Sequence, residues 1–194
     1  KKEGDAPVGT TKASFFNLPL LSKRRVFIID FSGSMKSPDE RRKIDMAMDE
    51  LERALGALED GTKVNVILLS TEATVQKRRR VSPRIMDVAG GNRKKIIEYV
   101  RTSSKILEAI KRGRGDIYDS IVEGMDDPDV DTVVLLSDGK PTYGKYLEQV
   151  HIEDSLFEMH RYRRAAVHTI LIGSRGIDQE MMEQIAEVTR RMSL

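Results

Sequence analysis

The sequence predicts an α/β fold: a doubly wound, mostly parallel central sheet flanked by helices, of the Rossmann-like kind. Two observations carry this. Val26–Ile29, Val64–Leu69 and Thr132–Leu136 are apolar runs without the alternation of a half-exposed strand, as expected for strands covered on both faces, and Ala166–Ile172 reads as a further strand. Between them lie segments of helical periodicity, the alternation that a parallel sheet with crossover helices requires. Right-handed crossovers then place any ligand site beyond the carboxyl ends of the strands, near the point where strand order reverses.

In chain order, residues 1–14 are expected as a flexible leader or linker and 15–194 as the folded domain. The chain opens Lys1-Lys2-Glu3-Gly4 without a methionine, as expected of a piece of something longer. Phe15, Phe16, Leu18 and Leu20 supply apolar anchors ahead of a strand over Arg25–Asp30. Pro38 and Asp39 mark the start of a helix to Leu58, in which Ile44, Met48, Leu51, Leu55 and Leu58 recur at helical spacing. Asp60-Gly61 turns into the strand Val64–Leu69, and Thr74–Lys77 is expected to return as a short antiparallel edge strand. Asn92–Arg101 and Ser103–Lys111 have helical character with a weak separation, and Ile117–Gly124 reads as a short helix. After the strand at 132–136 come a helix near Ile152–Arg164, the strand Ala166–Ile172 and a helix from Asp178 to about Arg190. No internal repeat or low-complexity tract interrupts this pattern.

Composition bounds the function. A chain of 194 residues is long enough for one sizeable core. Lysine and arginine number 33 against 31 acidic residues, and a net charge of +2 does not imply a polyanionic partner. The absence of cysteine excludes disulfides, thiolate metal sites and a cysteine nucleophile. No apolar stretch approaches the roughly 18 to 20 residues that span a bilayer.

The chemistry sits at two strand ends. Asp30-Phe31-Ser32-Gly33-Ser34 puts a carboxylate and two hydroxyls on one turn, with Gly33 expected to allow the sharp bend that lets them converge. Ser137-Asp138-Gly139 brings a second carboxylate to the end of another strand. Hard oxygen donors of this kind suit a divalent cation. Either aspartate by itself is more readily explained as a turn or a helix cap.

Phe-Ile-Ile-Asp-Phe-Ser-Gly-Ser-Met at 27–35, Leu-Leu-Ser-Asp-Gly-Lys-Pro-Thr at 135–142 and His168–Gly173 resemble, in that order, the blocks of von Willebrand factor A domains with a metal-ion-dependent adhesion site. The likeness covers about Phe15 to Thr189, and its wording is most similar to bacterial members rather than to integrin inserted domains. The resemblance implies that Asp30, Ser32 and Ser34 hold magnesium, or manganese or calcium in its place. Asp138 then contributes directly or through water, and a partner protein's Asp or Glu supplies the final oxygen. It also implies a final strand beyond Leu194, so the last sheet edge is expected to be missing.

One position departs from the family. Its usual Gly-Gly-Thr-x-Ile-Tyr-Asp phrase matches Gly113-Arg114-Gly115-Asp116-Ile117-Tyr118-Asp119, with Gly115 where the threonine hydroxyl should be. Water fills the position, or Asp116 reaches in, or metal binds weakly or not at all; magnesium's tolerance of retained waters favours the first two. Arg114-Gly115-Asp116 also spells the tripeptide integrins recognise, a three-residue match read as coincidence though expected to be exposed. Lys111, Arg112 and Arg114 would make the rim cationic and attractive to an acidic partner.

Competing chemistries fit less well. Lys77–Arg80 with Arg84 reads as a charged edge strand, and Arg161, Arg163 and Arg164 as complements to a helix end; Tyr99 and Tyr162 give the first patch no evident aromatic platform for nucleic acid. His151, His160 and His168 lack zinc-ligand spacing, with His168 expected as a satisfied core histidine. There is no nucleophile elbow and no phosphate-binding loop. A magnesium-dependent phosphoryl-transfer domain of the haloacid-dehalogenase kind would need a second aspartate where Ser32 stands, and a receiver-type domain has no use for the serine pair. The sequence therefore reads as a non-enzymatic, divalent-metal-dependent protein-binding module. A structural scaffold with a degenerate metal site is the alternative, and phosphoryl transfer the more distant one.

Overall fold

The computed structural model describes residues 13–37, 42–72, 75–109, 113–139, 141–173 and 177–191. A hairpin of β1 (Ser14–Phe15) and β2 (Leu18–Pro19) leads into β3 (Arg24–Asp30). There follow α1 (Lys43–Ala57), β4 (Lys63–Glu72), β5 (Val75–Arg80), β6 (Met86–Asp87), α2 (Asn92–Glu108) and α3 (Ile117–Gly124). The remainder is β7 (Thr132–Ser137), α4 (Gln149–Arg163), β8 (Ala166–Leu171) and α5 (Ile177–Arg191).

The main sheet runs β5-β4-β3-β7-β8, with β6 also on β4. β3 pairs in parallel with β4 and β7, and β7 with β8, whereas β5 and β6 are antiparallel to β4. Strand periodicity divides β3 between two cores. Phe27 and Ile29 pack with Leu51 and Leu55 of α1 and with Val100 and Leu107 of α2, under the hairpin's Phe15. Val26 and Ile28 face Ile121 of α3, Ile152 and Leu156 of α4, and Ile185 of α5. Both faces are covered, which is why the strands needed continuous apolar runs. Each such side chain contributes roughly 1.5–3 kcal/mol on burial.

The differences from expectation have local causes. α1 begins at Lys43 because Arg42 (φ −56°, ψ 134°) is outside helical geometry; the expected start at Pro38 and Asp39 lies outside the described residues. The two helices read over 92–101 and 103–111 are one, to Glu108: Ser104 Oγ bonds back to the Arg101 carbonyl at 2.9 Å, and Ser103 is buried, so neither serine ends the helix. The β1–β2 hairpin turns through Phe16 (φ 45°) and Asn17 (φ 63°), a signal hidden in what read as simple apolar anchors. The leader expectation falls mostly on residues 1–12, outside those described; Ala13 is already buried and Ser14 pairs with Pro19.

His168 is the clear correction. It lies on β8, at the end of the described sheet, and is exposed; the core histidine is His160, whose Nδ1 is 3.1 Å from the Ala165 carbonyl where α4 ends on Arg164 in the left-handed region. β5 is an edge strand, as the basic run 77–80 suggested.

Candidate metal centre

β3 and β7 lie side by side with Ile29 opposite Leu136, so Asp30 and Asp138 emerge together from the carboxyl ends of adjacent parallel strands. From β3 the chain crosses to β4 on one side, and β7 is reached on the other. The site therefore occupies the topological switch point of the sheet.

The four residues named from sequence converge there. Asp30 is only 3% exposed; its Oδ1 accepts the Ser32 amide at 2.7 Å and its Oδ2 accepts the Ser137 hydroxyl at 2.8 Å. Ser32 and Ser34 hydroxyls are 3.1 Å apart, and Ser34 donates to Asp138 Oδ1 at 2.7 Å. A short 3-10 turn over Ser34–Lys36 holds this geometry, anchored by fully buried Met35. Gly33 has φ −60°, open to any residue, so the expected sharp bend is not its reason for being there. Its amide instead donates to the Gly113 carbonyl at 2.8 Å, tying the first loop to the third.

The third loop is pinned at both ends. A Cβ on Gly113 would run into Ser70 Oγ and come within 2.8 Å of the Phe31 carbonyl, so only glycine lets the loop sit this close. Gly115 accepts the Thr142 and Tyr143 amides at 2.9 and 3.1 Å, and its own amide donates to Thr142 Oγ1 at 3.1 Å. A Cβ on Gly115 would lie 3.2 Å from Asp30 Oδ2, so a side chain at this position would face the Asp30 carboxylate. Asp116 is fully buried and caps α3, accepting the Asp119 amide at 3.3 Å. This overturns the expected exposure of Arg114-Gly115-Asp116: the aspartate an integrin would need is inside the protein. Arg114 is exposed at the rim, while Lys111, Arg112 and Lys140 lie outside the described residues.

Two functional neighbours escaped the sequence reading. Ser137 was legible only as the residue before Asp138, yet it is the hydroxyl that fixes Asp30. Lys43 Nζ sits 2.7 Å from Asp138 Oδ2, an ion pair in which Asp138 is 4% exposed and Lys43 20%. Its only signal was a cation in the first turn of a helix, the wrong end for the dipole.

Burial dominates the electrostatics. Desolvation, with a smaller contribution from the Asp138 charge, pushes the Asp30 carboxyl up to about 6, held back by the hydrogen bonds from Ser137 and Ser32. Lys36 is lowered by burial, opposed by the Asp30 and Glu108 charges, and its Nζ donates to the Leu107 carbonyl at 2.9 Å. Among the described residues no three His, Cys, Asp or Glu side chains cluster as ligands; the donor set is two carboxylates and two hydroxyls.

A doubly wound α/β domain with an Asp-x-Ser-x-Ser turn and a second Ser-Asp at its switch point is thereby defined. The von Willebrand factor type A domain profile matches residues 24–191, and the chain belongs to that family, whose members generally mediate protein–protein interaction. Among solved structures it is similar to the human COPII-coat protein Sec24c (12% identity, TM-score 0.59, covering 84% of this chain and 27% of that one). It is also similar to manganese-loaded Plasmodium vivax TRAP protein (17%, 0.58, 84% and 62%). A third is proximal thread matrix protein 1 from the mussel byssus (18%, 0.56, 88% and 45%). At these identities the likeness is one of fold, and the chain spans less than two thirds of each neighbour's length.

Proposed function

We propose that this domain binds a partner protein through a divalent cation, magnesium first, held by Asp30, Ser32 and Ser34 with Asp138 contributing directly or through water. The observation that carries this is Asp30: a carboxylate buried at a strand end whose oxygens, among the described residues, accept a hydroxyl and an amide, beside two serine hydroxyls and a second carboxylate. The set fits a hard cation, and its neutral hydroxyls leave charge on the ion for one further anionic oxygen. When bound, the ion supplies a Lewis-acidic point for the Asp or Glu of the partner. The protein's own residues do the rest: Ser137 orients Asp30, Ser34 orients Asp138, and Gly113 fixes the loop bearing Gly115.

The scaffold reading has one observation in its favour. Gly115 presents no hydroxyl where a side chain would face Asp30, which leaves the cation one protein ligand short.

Calorimetric titration of magnesium, manganese and calcium into the wild type, with Asp30→Ala and Asp116→Ala alongside and all three verified as folded, tests the proposal. Saturable binding that disappears in Asp30→Ala supports it. A folded wild type that binds none of the three ions leaves the scaffold. Loss in Asp116→Ala would return that residue to the ligand set despite its capping role. Phosphatase turnover abolished by Asp30→Asn would instead make the domain an enzyme.

A further inference from the structure

Lys43 is the one cation whose ammonium meets a carboxylate of the proposed site at ion-pair distance among the described residues. Its placement is built rather than incidental. It stands in the first turn of α1, where the helix dipole disfavours a positive charge, so something must hold it there. Two features do: Asp138 Oδ2 at 2.7 Å, and the turn after β8, where Gly173 (φ +86°) leaves the space its Cβ would take within 2.8 Å of Lys43 Cε. Among the described residues, Ser34 reaches Oδ1 of Asp138 and Lys43 reaches Oδ2. Lys36 lies within electrostatic reach of Asp30, but its ammonium donates to the Leu107 carbonyl.

We propose that Lys43 sets the charge of the metal site, giving up cation affinity in exchange for affinity toward an incoming carboxylate; this rests on the metal-dependent binding proposed above. Two carboxylates and a divalent ion sum to zero, so the neutral hydroxyls leave the ion locally electrophilic but give the site no long-range pull on an acidic partner. With Lys43 included the sum is +1. Neutralising Asp138 through Lys43 therefore does for this chain what uncharged ligands do, and keeps the ion electrophilic although a carboxylate sits beside it. The same ammonium repels the ion itself. Coulomb's law puts the effect of one unit charge on a divalent ion a few ångströms away at about tenfold in affinity even at the dielectric of bulk water, and its effect on a singly charged carboxylate at about threefold.

The test is the sign of two affinities. Magnesium is titrated calorimetrically into wild type, Lys43→Met, Lys43→Gln and Lys43→Arg; acetate is then titrated into each magnesium-saturated protein and followed by backbone amide shifts. The expected result is magnesium binding about tenfold tighter, and acetate binding about threefold weaker or more, in the Met and Gln variants, with the Arg variant near wild type in both. A merely structural role would weaken both affinities together, and that result, or no change in either, overturns the proposal while the metal site stands. Absence of magnesium binding in the folded wild type and in all folded variants would remove the metal site itself, and this inference with it. Using Gln beside Met keeps the comparison available if one variant does not fold.

Discussion

Replacing Asp30 with asparagine should stabilise the metal-free protein at neutral pH. The carboxyl titrates near 6 in the folded state against an ordinary value of 3.8, because burial disfavours its charged form. The folded state therefore binds this proton more tightly than the unfolded one. The sign follows: the cost is absent below about pH 4, grows as pH rises through the window between 3.8 and about 6, and is complete above it. Roughly two units at 1.36 kcal/mol each give a cost of about 3 kcal/mol at pH 7.5. Asparagine removes the charge and can keep both hydrogen bonds, its oxygen accepting the Ser32 amide and its amide donating to a rotated Ser137 hydroxyl. Urea unfolding in the presence of a chelator should then find Asp30→Asn more stable by up to about 3 kcal/mol at pH 7.5, with the gap closing toward pH 4. Saturating magnesium should raise wild type toward the variant and leave the variant unmoved, since only the charged carboxylate binds the ion. A variant less stable than wild type at pH 7.5, or a gap that persists unchanged at pH 4, would refute the claim that a buried uncompensated charge is the origin.

Gly115→Thr should tighten magnesium binding by adding a hydroxyl on the side that faces Asp30, provided the carboxylate gives by the few tenths of an ångström that a Cβ 3.2 Å from Oδ2 requires; calorimetry reads the sign directly, and weaker binding would mean the methyl displaces Asp30. Gly113→Ala should destabilise by about 1–3 kcal/mol in chemical denaturation, since its methyl collides with Ser70 and the Phe31 carbonyl, and it should weaken magnesium binding as the third loop shifts. Arg25→Met should be neutral or stabilising by about 1 kcal/mol in the same assay. Arg25 is 1% exposed with one terminal nitrogen on the Leu20 carbonyl and the other unpartnered, and burial brings its guanidinium down to about 10 against the pull of Asp131.

The fold was legible because burial on two faces leaves a mark in the sequence: Val26–Ile29 and Val133–Leu136 are apolar at every position, since even and odd residues face different cores, and helical segments alternate with these runs. Helix ends were less legible. The continuity of α2 depended on Ser103 and Ser104, residues whose hydroxyls break a helix in one setting and bond back into it in another. His168 was misjudged because a strand at the sheet's end keeps an open face, and sequence does not say which strand ends the sheet.

At the site, the residues that stand in local motifs were legible and those that act across the chain were not. Asp30, Ser32, Ser34 and Asp138 stand in two local motifs whose spacing can be read along the chain. Lys43 and Ser137 act across it: Lys43 is 95 residues from Asp138, and Ser137 is 107 from Asp30. Only the parallel register of β3 and β7 brings the latter pair together. Gly115 falls between these cases, since the sequence showed the missing hydroxyl but not the direction in which a side chain there would point. On the proposed reading, Gly115 withholds a neutral ligand and Lys43 offsets a negative charge, and both weaken the hold on a cation while leaving more of its charge for a partner. The signature expected of that reading is therefore weaker metal binding than with a threonine at position 115, coupled to a stronger pull on a partner's carboxylate.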